Sequence, residues 1–195
     1  MNVSRSVSRL FLAACFVALA ATAQQATETK EPYEPVEGQA GKDVVWVPTP
    51  LVLVEKMLDM ARVTPRDFVM DLGSGDGRNI IAAAKRGARA LGVEYNPDMV
   101  ELSRRNAARE GVADKAQFVQ GDMYEADLSQ ATVLALFLLP DNLVKLKPKF
   151  ERLRPGTRIV TNGYQIAGWD ANETGVAGGD CAPWCNAYLY IIPPH

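Results

Sequence analysis

The stretch Asp71-Leu72-Gly73-Ser74-Gly75-Asp76-Gly77-Arg78, "DLGSGDGR", decides how the rest of the chain is read. Three glycines alternate with Ser74 and Asp76, and Asp71 leads them. The apolar run "FVMDL" before it reads as a buried strand, and "NIIAAAKRG" after it reads as a helix. A glycine-rich turn between a strand and a helix lets the backbone approach a ligand closely. In an open parallel sheet that turn lies at the carboxyl ends of the strands, where ligands bind. A tight turn without a ligand has no need of three glycines so close together. The loop is therefore read as a ligand cradle.

Outward from the loop, strands and helices alternate. "ALGVEY" is a second strand, and Asn96 or Pro97 opens a helix over "DMVELSRRNAARE" that ends at Gly111. "AQFVQGD" is a third strand, and "ATVLALFLL" a fourth, apolar throughout as a central parallel strand should be. "NLVKLKPKFERLR" reads as helix interrupted at Pro148, "TRIVTNG" as a fifth strand and "AYLYIIP" as a last one. Upstream, Val54, Met57, Leu58 and Ala61 fall on one helical face. Thr49 is the expected N-cap there, and Pro50 suits the first turn. The pattern predicts an α/β fold: an open, mostly parallel sheet with helices on both faces. "GWDANETGVAGGD", residues 168–180, reads as loop.

The chain has 195 residues, enough for one domain with a real core. Its formal net charge of -2 gives no basic face, so no nucleic acid is expected as a partner. Residues 1–23 have the outline of a signal peptide: Arg5 and Arg9, then the uncharged "LFLAACFVALAATA", then Ala21-Thr22-Ala23 before Gln24. The apolar run is shorter than the roughly 20 residues that a membrane span needs. Export, to a periplasm for example, is the expectation. The alternative is an uncleaved anchor with the domain facing the cytoplasm, the one case that implies a membrane. Residues 24–43, polar and punctuated by Pro32, Pro35, Gly38 and Gly41, read as a flexible linker, leaving 44–195 as the domain. Cys181 and Cys185, in "CAPWC", are either a disulfide or a pair of thiols; spacing alone does not decide. No metal site is expected, since there is no second cysteine pair and the single histidine is His195.

The ligand follows from three acids. A dinucleotide loop has G-x-G-x-x-G spacing, whereas this one has G-x-G-x-G. Asp71 would repel a pyrophosphate and suits a ligand with an ammonium group. Glu94, closing the second strand, is placed to accept both hydroxyls of a ribose. Asp122, in "VQGDMYEADL", is placed to meet an adenine amino group, with Met123 against the ring. For each acid the plain alternative is a surface carboxylate at a strand end. An amine, a ribose and an adenine without phosphate describe S-adenosyl-L-methionine.

"VMDLGSGDGR", "GVEYN" and "VQGDMYEADL" together resemble the cofactor motifs of the class I, Rossmann-like S-adenosylmethionine-dependent methyltransferases, over about residues 46–165. That resemblance implies a Rossmann-like fold and assigns Gly73, Ser74, Gly75, Asp76 and Gly77 to the cofactor with Asp71, Glu94, Asp122 and Met123. "WVPTP" before a helix, "NPDMVELSRRNA" and "LFLLPDN" resemble, more narrowly, bacterial relatives of the mitochondrial lysine methyltransferases that modify ATP synthase and cytochrome c subunits. By that resemblance Trp46 to Pro50 fold over the methionine end, Thr49 hydrogen-bonds near its carboxylate, and the reaction is protein-lysine N-methylation. A small-molecule methyltransferase and a noncatalytic nucleoside-binding protein are the alternatives.

Methyl transfer is an in-line displacement that asks a protein mainly to align a nucleophile and exclude water. Leu139, Pro140, Asp141 and Asn142 follow the fourth strand and are the candidate acceptor-side residues. Asp141 either orients an incoming amine or caps a helix. Tyr164 and Trp169 either line an acceptor cleft or pack in the core. "LLPDN" lacks the second proline and the aromatic of the D/N-P-P-Y loop in amino-methylating nucleic-acid enzymes. Export conflicts with a cofactor made inside the cell, so the N-terminus bears directly on function. The mature protein is expected to start at Gln24 when its N-terminus is sequenced. Intact Met1 in a membrane fraction, with the domain shielded from external protease, would show the anchor instead.

Overall fold

A computed structural model describes residues 33–178, 181 and 185–193; the expected signal peptide and residues 24–32 of the expected linker lie outside them. The elements run α1 (Leu51–Met60), β1 (Phe68–Leu72), α2 (Arg78–Lys85), β2 (Arg89–Glu94), α3 (Pro97–Arg109), β3 (Ala116–Gln120), β4 (Val133–Leu136), α4 (Pro140–Phe150), β5 (Arg158–Asn162), β6 (Glu173–Val176) and β7 (Asn186–Ile191). They build a seven-stranded sheet in the order β3-β2-β1-β4-β5-β7-β6. β1 to β5 are parallel, and β7 runs antiparallel to both β5 and β6. This is the Rossmann-like α/β architecture that the alternation predicts.

Strands buried on both faces explain the unbroken apolar runs. In β1, Val69 joins the core under α1, α2 and α3, with Leu53, Met57, Ile80 and Val100. Its neighbour Met70 joins the opposite core with Leu143, Leu146 and Phe150 of α4. β1 is also the switch point, with β2 on one side and β4 on the other. Asp71 stands opposite Gly92, and Leu72 opposite Val93, so the glycine loop and Glu94 leave neighbouring strands at one edge.

Local chemistry sets several boundaries. The Asn96 side chain accepts from the Asp98 N–H and caps α3, with Pro97 behind it. Gly111 follows that helix with φ +69°, a left-handed turn that suits glycine. Thr49 does not cap α1: Pro50 takes that place, and no side chain bonds there. Pro148 does not interrupt α4, which runs on to the fully buried Phe150. Proline loses one hydrogen bond there, but packing holds the last turn.

β4 stops at Leu136, short of the predicted run, and frees residues 137–139 for the site. The stretch expected as loop contains β6, an edge strand whose side chains are mostly exposed. Exposure removes the apolar alternation that would have marked it. Gly175 of β6 packs so closely that an added Cβ would lie 2.6 Å from both Lys56 and Met60 of α1. Cys181 and Cys185 are disulfide-bonded, with Cα atoms 5.5 Å apart, in the β6–β7 connection.

Part of the expected linker is folded onto the domain. The Gly38 N–H donates to the Trp46 carbonyl at 2.8 Å, and the Trp46 N–H donates to the Gln39 carbonyl at 2.9 Å. Arg105 of α3 donates to the Tyr33 carbonyl at 3.1 Å. Its polar groups therefore find partners within the protein. Residues 33–49 form a strap across the carboxyl edge of the sheet.

Gly92 marks the tightest approach under the loop. A Cβ there would lie 2.5 Å from Ser74 Oγ and 2.7 Å from the Phe118 ring. Gly92→Ala is expected to destabilise the domain by about 1–3 kcal/mol in urea unfolding, the usual range for overpacking. An unchanged midpoint would contradict that packing.

Candidate cofactor site

The strap, the glycine loop and the ends of β1, β2 and β4 enclose a cleft of about 440 Å³. That volume is within the usual range for small-molecule sites. The N–H groups of Gly73 and Ser74 donate to the Val93 carbonyl at 2.8 and 3.1 Å, which pins the loop to β2. Gly75 and Gly77 take φ values of +56° and +85°. A Cβ on Gly75 would lie 2.8 Å from Trp46 Nε1, and one on Gly77 2.7 Å from the Phe118 ring. Both positions need glycine for conformation and for room.

Asp71 is buried beneath this loop, with 4% of its surface exposed. Its Oδ2 accepts from Asn79 Nδ2 at 3.0 Å. Burial pushes its carboxyl well above the ordinary carboxylate range, and the Glu94 and Asp76 charges push the same way against the Asn79 bond. Glu94 is half-buried; its Oε2 accepts from the Gly75 N–H and its Oε1 from the Asn96 N–H, both at 2.9 Å. Each oxygen keeps a lone pair for a diol. Asp76 forms an ion pair with Arg78 at 2.5 Å, and Arg78 Nη1 donates to the Thr49 carbonyl at 2.7 Å. Thr49 is buried in the lining, where its Oγ1 accepts from Asn162 Nδ2 at 3.2 Å. Ser74 is buried too, and its Oγ has no hydrogen-bond partner.

At the far end, Asp122 Oδ2 accepts from Lys42 Nζ at 2.5 Å and Oδ1 from the Tyr124 N–H at 2.9 Å. These bonds hold the Asp122 carboxyl below its ordinary range, the Lys42 bond most. Lys42 also lies 4.8 Å from the Tyr95 ring centroid. Met123 is buried in the lining beside Asp122. Thr49, Asp71, Gly73, Ser74, Gly75, Asp76, Glu94, Asp122 and Met123 thus all line one cleft. Gly77 is outside the lining and forms the N-cap of α2.

The acceptor-side candidates divide. Asp141 is exposed in the first turn of α4, outside the cleft lining; Leu139 caps that helix. Asn142 is buried outside the lining as well, and its Nδ2 donates to the Tyr124 hydroxyl at 2.7 Å. Leu139, Phe137 and Tyr164 do line the cleft. Trp169 instead packs 6.0 Å from the Tyr190 ring, in the α4-side core. Sequence reasoning missed Lys42, Asn79, Tyr95 and Phe137. Asn79 alone left a signal there, as a polar residue heading an apolar helical run. Among the described residues no group of His, Cys, Asp and Glu forms a metal site.

A buried acid for an ammonium, a second acid for a diol and a glycine loop whose Arg78 is committed to Asp76 fit S-adenosylmethionine rather than a phosphate ligand. The fold and this cleft define a class I S-adenosylmethionine-dependent methyltransferase, a transferase. Residues 71–173 match the family model of the ANTKMT methyltransferase domain, a little over half of the chain, and the chain belongs to that family. It is 42% identical over 155 residues to a protein-lysine N-methyltransferase of Saccharolobus islandicus, covering 78% of this chain and 96% of the relative. It is 35% identical over 136 residues to a human ATP synthase lysine N-methyltransferase. That match covers 69% of this chain and 58% of the human protein's length. Among solved structures, an RNA methyltransferase from Salinibacter ruber in complex with S-adenosyl-L-homocysteine superposes with a TM-score of 0.71 at 44% identity. It covers 76% of this chain and 95% of that one.

The raised carboxyl of Asp71 has a sign that can be checked. Between the ordinary carboxylate pKa and its raised value, the folded state holds a proton that the unfolded state has lost. Stability therefore falls as pH rises through that window. Asp71→Asn removes this loss and is expected to melt higher than wild type at neutral pH. The same change should weaken S-adenosylmethionine binding by about a kcal/mol or more, because a charged hydrogen bond is lost. A lower melting temperature with unchanged affinity would contradict both the burial argument and the placement.

Proposed function

We propose that the chain transfers the methyl group to the side-chain amine of a lysine in a protein. The observation that carries this reading is the 42% identity with a protein-lysine N-methyltransferase across 96% of that protein's length. The cleft supports it chemically. Phe137, Leu139 and Tyr164 give the cleft apolar and aromatic wall beside Thr49. An amine entering past them loses water, which favours its neutral, nucleophilic form. The bound cofactor supplies a methyl group on a good leaving group. Asp71 receives its ammonium and Glu94 its ribose, while the apolar wall excludes water and aligns the amine. No general base is required, and Asp141 has no place in the step.

An RNA acceptor is the second reading, since the Salinibacter ruber structure is described as an RNA methyltransferase. The net charge of -2 offers little attraction to a phosphate backbone. For location we propose export, a reading that the Cys181–Cys185 disulfide supports, since such bonds persist in oxidising compartments.

Incubation with isotope-labelled S-adenosylmethionine and two substrate pools, a protein extract and total RNA, tests the acceptor. Labelled methyl-lysine in acid hydrolysates of the protein is expected. Label confined to nucleosides of the RNA digest would overturn the lysine reading.

A further inference from the structure

Asn79 is the second residue of α2 and 4% exposed. It heads the run Asn79-Ile80-Ile81-Ala82-Ala83-Ala84, all of it buried. Packing alone would favour an apolar residue in that place. Its amide nitrogen meets two acceptors, Asp71 Oδ2 at 3.0 Å and the Ala135 carbonyl at 3.3 Å. Both N–H groups are thereby used, which fixes the orientation of the amide. Its Oδ1 is buried and has no hydrogen-bond partner. A buried, unpaired acceptor is costly and calls for a donor that the protein does not supply.

Asp71 shares the need. The charges that bear on it most, Glu94 and Asp76, have its own sign. Arg78, beside Asn79 on α2, is committed to Asp76 and to the Thr49 carbonyl. Asn79 lines the cleft together with Asp71. A carboxylate and an amide oxygen side by side, both short of a donor, match a cationic group with several N–H bonds to give.

We propose that Asn79 is a positioning residue for the amino-acid end of S-adenosylmethionine. Its amide clamps the Asp71 carboxylate between α2 and β4, and its Oδ1 leaves a second acceptor beside that carboxylate for the cofactor's ammonium. Without Asn79 the Asp71 carboxyl keeps its like-charged neighbours and loses a neutral donor. It then holds a proton more readily and pairs poorly with an ammonium.

The test compares two ligands by calorimetric titration of wild type, Asn79→Leu and Asn79→Ser. One ligand is S-adenosylmethionine. The other is 5′-methylthioadenosine, which keeps the nucleoside and the sulfur but has neither ammonium nor carboxylate. Both variants are expected to bind S-adenosylmethionine roughly ten-fold or more weakly, as loss of a charge-assisted bond implies, with methylthioadenosine unchanged. Unchanged affinity for S-adenosylmethionine overturns the proposal. An equal loss for both ligands in both variants makes Asn79 a structural tie and overturns it too. The comparison involves no methyl transfer, so it stands or falls separately from the lysine acceptor.

Discussion

A carboxylate buried at the end of β1, with two further acids bearing on it, is the constraint on which the rest of the site depends. Asp71 cannot be solvated there, and the protein gives it an amide donor rather than a cation. The fold makes the position unavoidable. β1 is the switch point of the sheet, so its carboxyl end opens into the crevice between β2 and β4. The glycine loop must turn tightly over this acid, and Gly75 must leave room for Trp46. Binding of a cationic ligand relieves the conflict, and a ligand that binds only the folded state stabilises it.

The two ends of the cleft are built from different material. The methionine end rests on regular structure: β1, the first turn of α2 and the end of β5, where Asn162 holds Thr49. The adenine end depends on the strap, which reaches across the sheet edge to put Lys42 on Asp122. That pair is partly exposed to solvent, so it contributes little to stability. Its place is more telling than its strength. Lys42 sits on the carboxylate that the sequence assigns to an adenine amino group, so a bound purine must share Asp122 with Lys42 or displace it.

Much of this was legible in the chain because its causes are local. Parallel strands buried on two faces read as apolar runs, and Asn96, Pro97 and Gly111 announce the ends of α3. Asp71, Glu94 and Asp122 each follow or close such a strand, so their meeting in one cleft follows from topology. Elsewhere the causes are long-range or hidden. Lys42 meets Asp122 across 80 positions, and nothing in the polar residues around it marks a strap. β6 is an exposed edge with no alternation to read. Asp141 looked poised to act because "ATVLALFLL" gives no sign that the strand ends at Leu136. That early end makes Leu139 the cap and leaves Asp141 exposed.

The central claim is that this cleft takes a cationic nucleoside and not a phosphate-bearing one. Calorimetric titration of the purified chain with S-adenosylmethionine and, in parallel, with NAD tests it most directly. The account predicts saturable one-to-one binding of S-adenosylmethionine and no heat from NAD. Binding of NAD by a folded chain that ignores S-adenosylmethionine would contradict it.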